Sequence, residues 1–215
     1  MRRLPEEGMM SLKQEINLHV RHITGNLVAK TLGKTSISAS SLTIIGFVIT
    51  TSSIWVLANG QLFWAGCIIL FASLFDMLDG ALARAKDQVS QFGAFLDSTL
   101  DRLSEVFIFL GFFFYYQRTM AGFPVQELTL IFLSVTGSLL VSYVRARAEA
   151  VGFECKVGLM ERPERIIVIV LGLLIGQVTL SLWLLAVLTY VTVVQRLFHV
   201  LRQARQFDTR TYIRK

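Results

Sequence analysis

Cysteine, histidine and proline are scarce in this 215-residue chain, with two, three and three of each. Cys67 and Cys155 lie far apart, which excludes a cysteine metal cluster and a disulfide framework. His19, His22 and His199 share no ligand spacing. Charge is also thin. Only 17% of residues are charged, against about 25% in a soluble domain. Hydrophobic residues make up 53%, and the mean hydropathy is +0.58. These values exclude a disordered chain, a disulfide-rich secreted scaffold and a soluble nuclease. Acidic residues number 15 against 21 basic, a net charge of +6. The charges sit mostly between apolar runs. That pattern points to an anionic membrane surface or phosphate-bearing substrates rather than nucleic acid.

The apolar runs are the dominant feature. Six stretches, about 38–57, 62–83, 93–116, 126–146, 163–178 and 180–200, approach the length needed to cross a bilayer. Gly60, the Gly122-Phe123-Pro124 stretch and Gly176-Gln177 punctuate them as turns. Before them, Leu12, Ile16, Val20, Ile23 and Leu27 recur every three or four residues, with Lys13, Arg21 and Lys30 off that stripe. This spacing predicts an amphipathic helix on the membrane surface or packed on the domain. The expected architecture is an all-α integral membrane protein of six transmembrane helices preceded by that surface helix. It divides into a juxtamembrane segment over 1–36, a six-helix domain over 37–201 and a basic tail over 202–215. Lys and Arg are almost absent from alternate loops. The positive-inside rule then gives a multi-pass protein of the cell membrane with both termini cytoplasmic.

Asp76, Asp79, Asp97 and Asp101 lie in or beside these apolar runs. A carboxylate in a membrane costs at least about 2.5–3.5 kcal/mol, so four of them need a compensating cation or water. Asp76 and Asp79 are three residues apart at the end of the second run. Asp97 and Asp101 are four apart at the start of the third. Each pair lies on one helix face, and a short loop makes the two helices antiparallel neighbours. Carboxylates converging without His or Cys make a hard oxygen site suited to Mg²⁺ or Mn²⁺, with room for two ions. Two such ions serve phosphoryl chemistry. The competing reading is a carboxylate–arginine network, through Arg84 and Arg102, that only holds helices together.

Small residues keep this stripe free of bulk. Gly80 is one turn beyond Asp76, Ala83 one turn beyond Asp79, and Gly93 one turn before Asp97. They let a ligand approach the backbone, or let helices pack closely, or both. Arg84 follows at the helix end, where a guanidinium can grip phosphate oxygens. A second set of arginines stands where apolar runs begin or end: Arg145, Arg162, Arg165 and Arg196. Such a set suits a phosphorylated acceptor, although the positive-inside bias also explains terminal arginines.

The pattern Asp76-x2-Asp79-Gly80-x2-Ala83-Arg84-x8-Gly93-x3-Asp97-x3-Asp101 resembles the signature of the CDP-alcohol phosphatidyltransferases. Eight fixed positions at roughly 5–8% usage match by chance about once in 10¹⁰ starts. The resemblance implies transfer of the phosphatidyl group of a CDP-linked lipid to an alcohol, with CMP released. It implies that Asp76, Asp79, Asp97 and Asp101 ligate the metals and that Asp101 also acts as general base on the acceptor hydroxyl. Gly80, Ala83, Arg84 and Gly93 would take the CDP-lipid. The stretch from Phe92 to Arg102 is similar to the branch that makes phosphatidylinositol phosphate in bacteria and archaetidylinositol phosphate in archaea. The glycerophosphate-using branch more often has Pro and Lys where Ser98 and Arg102 stand here. The implied partners are CDP-diacylglycerol or CDP-archaeol, inositol 1-phosphate and membrane lipids. The acceptor's phosphate would fall to Arg145, Arg162, Arg165 and Arg196. Relatives often carry Pro-Asn before the first span. Here residues 37–43 offer hydroxyls that either contact the nucleotide or cap the first helix. The likeness also implies a homodimer, with Gly111 and Gly137 as places for a second copy to pack. A glycerol 3-phosphate acceptor is the alternative within this chemistry. A cation transporter is the alternative outside it, and it expects charges at several depths and inverted repeats, neither of which is visible.

Overall fold

The computed structural model describes residues 38–85, 90–120 and 122–213 of the chain, without the side chains of 77, 79–81, 83–85 and 207–213. The surface helix expected within 1–36 lies outside the described residues. The described residues form six α-helices and no strand. These are α1 (Ala39–Ala58), α2 (Leu62–Ala85), α3 (Gln91–Thr119), α4 (Val125–Ala150), α5 (Arg162–Leu174) and α6 (Val178–Ile213).

Their ends follow local chemistry. Ser38 caps α1, its hydroxyl accepting from the Ser41 amide at 3.1 Å. Ser90 does the same for α3 through the Gly93 amide at 2.9 Å. A Cβ at position 93 would stand 2.9 Å from that capping oxygen, so Gly93 keeps the cap possible. Pro163 sits in the first turn of α5, where its missing N–H costs nothing. The fifth apolar run was expected to reach residue 178, but the helix stops at Leu174. Gly176 there takes φ +70°, and the Gln177 amide turns back to the Gly172 carbonyl at 2.7 Å. At the other end, α6 runs on through residues expected in the tail.

The helices pack as a ring. α1 lies against α2 and α3, α2 against α5, α5 against α6, α6 against α4, and α4 against α3. Leu57, Ile108, Phe109, Phe112, Leu173 and Leu182 fill the interior. Large apolar side chains such as Val48, Trp55, Trp64, Phe132 and Leu180 point outward. A soluble surface would not carry so many, and a bilayer solvates them. Small residues bring the helices close. A Cβ on Gly111 would stand 2.6 Å from Leu57 Cδ1 of α1, and one on Gly137 would run into Thr189 of α6. This corrects the expectation that these two glycines serve a second copy, because both contacts are spent inside the subunit. Among the described residues, three helical segments, Ala39–Ala58, Val125–Ala150 and Val178–Gln206, are long and apolar enough to cross a membrane. Leu62–Asp76 is a shorter apolar stretch. The remaining helices carry the charged residues from which the site is built, or are short.

Candidate active site

Asp76 lies late in α2, and its carboxylate faces α1 where Gly46 leaves room. A Cβ on Gly46 would stand 2.9 Å from Asp76 Oδ1. Asp97 and Asp101 lie one turn apart in the first half of α3. Arg162, the first residue of α5, joins the two aspartate-bearing helices. Its Nη2 donates to Asp76 Oδ2 at 2.6 Å and stands 2.9 Å from Asp101 Oδ1. Asp97 lies within electrostatic reach of Asp76, Asp101 and Arg162. This corrects the expectation, drawn from the short loop between them, that α2 and α3 are direct neighbours: among the described residues both pack on α1, and it is the Arg162 guanidinium that joins Asp76 to Asp101. Arg102 turns back to donate to the Ser98 carbonyl one turn earlier. The side chains of Asp79, Gly80, Ala83 and Arg84 lie outside the described residues. Among the described residues, no three His, Cys, Asp or Glu side chains are drawn together as a metal cage. The donors near Arg162 are carboxylate oxygens alone, and the cluster already gathers one cation. Both features fit a hard divalent ion and not a soft one.

The arginines expected at an acceptor phosphate fall into distinct settings. Arg162 has its guanidinium on the carboxylates. Arg165 is buried and grips Glu105 of α3 with two prongs, Nε to Oε1 at 2.6 Å and Nη2 to Oε2 at 2.8 Å. Its Nη1 donates to the Met160 carbonyl at 3.0 Å. Arg196 is buried on α6. It donates from Nε to the Val157 carbonyl at 2.8 Å and from Nη1 to the Val141 carbonyl, and its Nη2 lies 3.7 Å from Glu161. Arg145 is more exposed and pairs with Glu149 one turn on at 2.9 Å. Arg145 and Arg165 both act electrostatically on Arg196. The three cations thus cluster, with Arg196 tying the 151–161 segment to α4 and α6. The Met160 amide adds a tie to Thr192 Oγ1 at 3.1 Å.

Glu105 is the site residue that the sequence reading passed over. The signal was present, because Glu105 continues the four-residue step from Asp97 and Asp101. Glu161 was likewise visible only as part of a charged segment. Of the hydroxyls before the first helix, Ser38 serves as its cap.

One end of the bundle therefore holds a carboxylate cluster and a guanidinium cluster side by side, the charge pattern of a phosphoryl-transfer site. A model of the CDP-alcohol phosphatidyltransferase family matches residues 36–201. The chain belongs to that family. It is a membrane transferase that moves a phosphatidyl group from a CDP-linked lipid to an alcohol. Archaetidylinositol phosphate synthase of Pyrococcus horikoshii is 40% identical over 172 residues, covering 80% of this chain and 87% of that protein. The crystal structure of phosphatidylinositol phosphate synthase from Mycobacterium tuberculosis with CDP-DAG bound superposes with a TM-score of 0.74 at 32% identity. The match covers 83% of this chain and 94% of the other. The same enzyme in complex with manganese and citrate gives a TM-score of 0.74 at 33% identity, covering 82% and 88%. Family membership sets aside the cation-transporter reading of the aspartates.

Proposed function

We propose that the chain is a phosphatidylinositol phosphate or archaetidylinositol phosphate synthase, with inositol 1-phosphate as acceptor. The observation that carries the acceptor is the placement of Arg196, 3.7 Å from Glu161, next in the chain to the Arg162 that bridges Asp76 and Asp101, with Arg145 within electrostatic reach of Arg196. A phosphate dianion on the acceptor calls for several guanidiniums, and an unphosphorylated alcohol does not. The likeness to two synthases whose names carry inositol phosphate supports the same acceptor.

Asp76, Asp79, Asp97 and Asp101 would hold the metal, Mg²⁺ or Mn²⁺, as two ions. Manganese in a related crystal structure supports a divalent ion. Bound there, the ions neutralise the diphosphate and stabilise the entering and leaving oxygens. Gly80, Ala83 and Gly93 offer backbone without bulk to the cytidine and diphosphate of CDP-diacylglycerol or its ether analogue, and Arg84 grips the diphosphate. Arg145 and Arg196, with Arg162, hold the acceptor phosphate and so aim its free hydroxyl; Arg165, expected there too, is instead spent on Glu105 and the Met160 carbonyl. Asp101 accepts the hydroxyl proton. The acceptor oxygen attacks the lipid-bound phosphorus, the bond to the bridging oxygen breaks, and CMP leaves with that electron pair.

The protein crosses the membrane six times with both termini cytoplasmic, which puts the site at the cytoplasmic face. The three shorter or more charged helices complete the ring of spans. The 37–201 domain carries the chemistry, and the working unit is a homodimer.

The deciding assay offers purified protein CDP-diacylglycerol and Mg²⁺ or Mn²⁺, and reads CMP release. Inositol 1-phosphate, free inositol, glycerol 3-phosphate and serine are supplied separately. Release with inositol 1-phosphate alone is expected. Release with glycerol 3-phosphate alone would keep the chemistry and overturn the acceptor.

A further inference from the structure

The outer face of α6 carries a groove that the transfer reaction does not use. It encloses about 770 Å³ between α6 and the 157–159 segment. Val187, Val191, Val194, Phe198 and Leu159 wall it, and Gln195, His199 and Arg202 stand toward one end. The valines and Phe198 follow steps of four, three and four residues, so they form one stripe along α6. Gln195, His199 and Arg202 follow the same steps on a neighbouring stripe, shifted toward the basic end. Every one of the five wall residues is at least 40% exposed. No described part of the chain covers them.

The groove is preformed. The Val157 carbonyl accepts from Arg196 at 2.8 Å, and the Met160 amide donates to Thr192 at 3.1 Å. Gly158 takes φ +136° and sits so close to α6 that a Cβ there would stand 2.5 Å from Thr192 Cγ2. The wall opposite α6 is thus pinned at both ends.

Its dimensions select the occupant. From Val187 to Phe198 the apolar stripe rises about 16 Å at about 1.5 Å per residue. Half of a hydrocarbon core about 30 Å thick is about 15 Å. The walled part of the groove is one leaflet deep, matched to one acyl chain, although the exposed apolar stripe of α6 itself continues through Leu184 to Leu180. It turns cationic where headgroups begin. We infer that the groove binds one anionic phospholipid of the leaflet on the basic side of the bundle. Its acyl chain lies along Val187, Val191, Val194 and Phe198, and its phosphate meets Arg202 and His199. The lipid braces the 157–159 segment from outside. The aspartates stand on α2 and α3, whereas this seat lies on the outer face of α6, its 157–159 wall resting on Arg196.

The test uses the purified full chain in detergent doped with phosphatidylglycerol or phosphatidylcholine, with retained lipid read by native mass spectrometry. The wild type is expected to retain phosphatidylglycerol over phosphatidylcholine. Arg202→Gln is expected to weaken that retention about fivefold, the equivalent of the roughly 1 kcal/mol contributed by one basic residue near a headgroup. Val194→Trp fills the groove without altering Arg202 and is expected to abolish retention of both lipids. Both positions are exposed, so the melting temperature should not move. Equal retention of the two lipids by the wild type, or retention untouched by both substitutions, overturns the inference. Displacement of phosphatidylglycerol by CDP-diacylglycerol also overturns it, making the groove the donor's acyl seat. A changed oligomeric mass in Val194→Trp with unchanged lipid retention overturns it in favour of a second copy.

Discussion

Glu105 and Arg165 form a two-pronged ion pair sealed inside the bundle, with side chains only 3% and 1% exposed. Two charges leave water here only because each satisfies the other. Removing one strands its partner in a low-dielectric interior, which costs about 3–5 kcal/mol. Glu105→Ala is therefore expected to lower stability by about that amount, read as a shift of the unfolding midpoint in detergent. The double variant Glu105→Leu with Arg165→Met strands no charge. It should lose less than Glu105→Ala alone, and a loss equal to the sum of the two single changes would refute the coupling.

Asp101 shares its guanidinium partner with Asp76 and stands on α3 within reach of the other carboxylates. Asp101→Asn keeps the shape and removes the proton acceptor. Turnover is expected to fall by about 10²–10⁴, the usual worth of a general base. Binding of CDP-diacylglycerol should largely survive. Near-normal turnover would remove the base role from Asp101.

Arg162 neutralises Asp76 and Asp101 when no other cation is there. Its charge and a divalent ion therefore compete for the same oxygens. Arg162→Gln is expected to lower the melting temperature of metal-stripped protein and to enlarge the rise on adding Mn²⁺. An unchanged Mn²⁺-dependent rise would show that the guanidinium and the ion occupy separate places.

The sequence discloses elements far better than it discloses partners. All six apolar runs became helices, because run length and the glycines at 60, 122 and 176 report local physics. Asp76 and Asp101 share a partner, but through Arg162 on α5 rather than by direct pairing of their helices. What stayed hidden depends on tertiary distance. Nothing local says that Arg162 reaches the carboxylates while Arg165, three residues on, reaches Glu105. Arg196 ends on the carbonyls of Val157 and Val141, irregular or distant backbone that no periodicity predicts. Gly111 and Gly137 show the same limit. A small residue signals close approach, but not whether the approaching helix belongs to the same chain.

Arg145 and Arg196 belong to one cation cluster but differ in how the fold uses them. Arg145 is half-buried and pairs locally with Glu149, an interaction worth a few tenths of a kcal/mol. Arg196 is buried and ties two carbonyls. Arg145→Ala is expected to raise the acceptor KM severalfold with the donor KM and melting temperature unchanged. Arg196→Ala should raise the acceptor KM and also lower the melting temperature. If Arg145→Ala leaves the acceptor KM where it was, that arginine does not read the phosphate.

At Gly172, α5 and α6 approach closely. A Cβ there would overlap the Ser181 hydroxyl, and its Cβ would stand only 2.7 Å away. That hydroxyl's one proton lies between the Val168 carbonyl at 3.1 Å and the Gln177 carbonyl at 3.3 Å, so swinging aside gives up both acceptors. Gly172→Ala must push α5 off α6, and overpacking of this kind costs about 1–3 kcal/mol. Because α5 carries Arg162 and Arg165 at its other end, the displacement should also reach the carboxylate cluster. The variant is expected to lose stability and turnover together. Adding Ser181→Gly to Gly172→Ala reopens the space, and the pair should regain both. Failure of that rescue would show that the tight crossing at Gly172 does not set the position of α5.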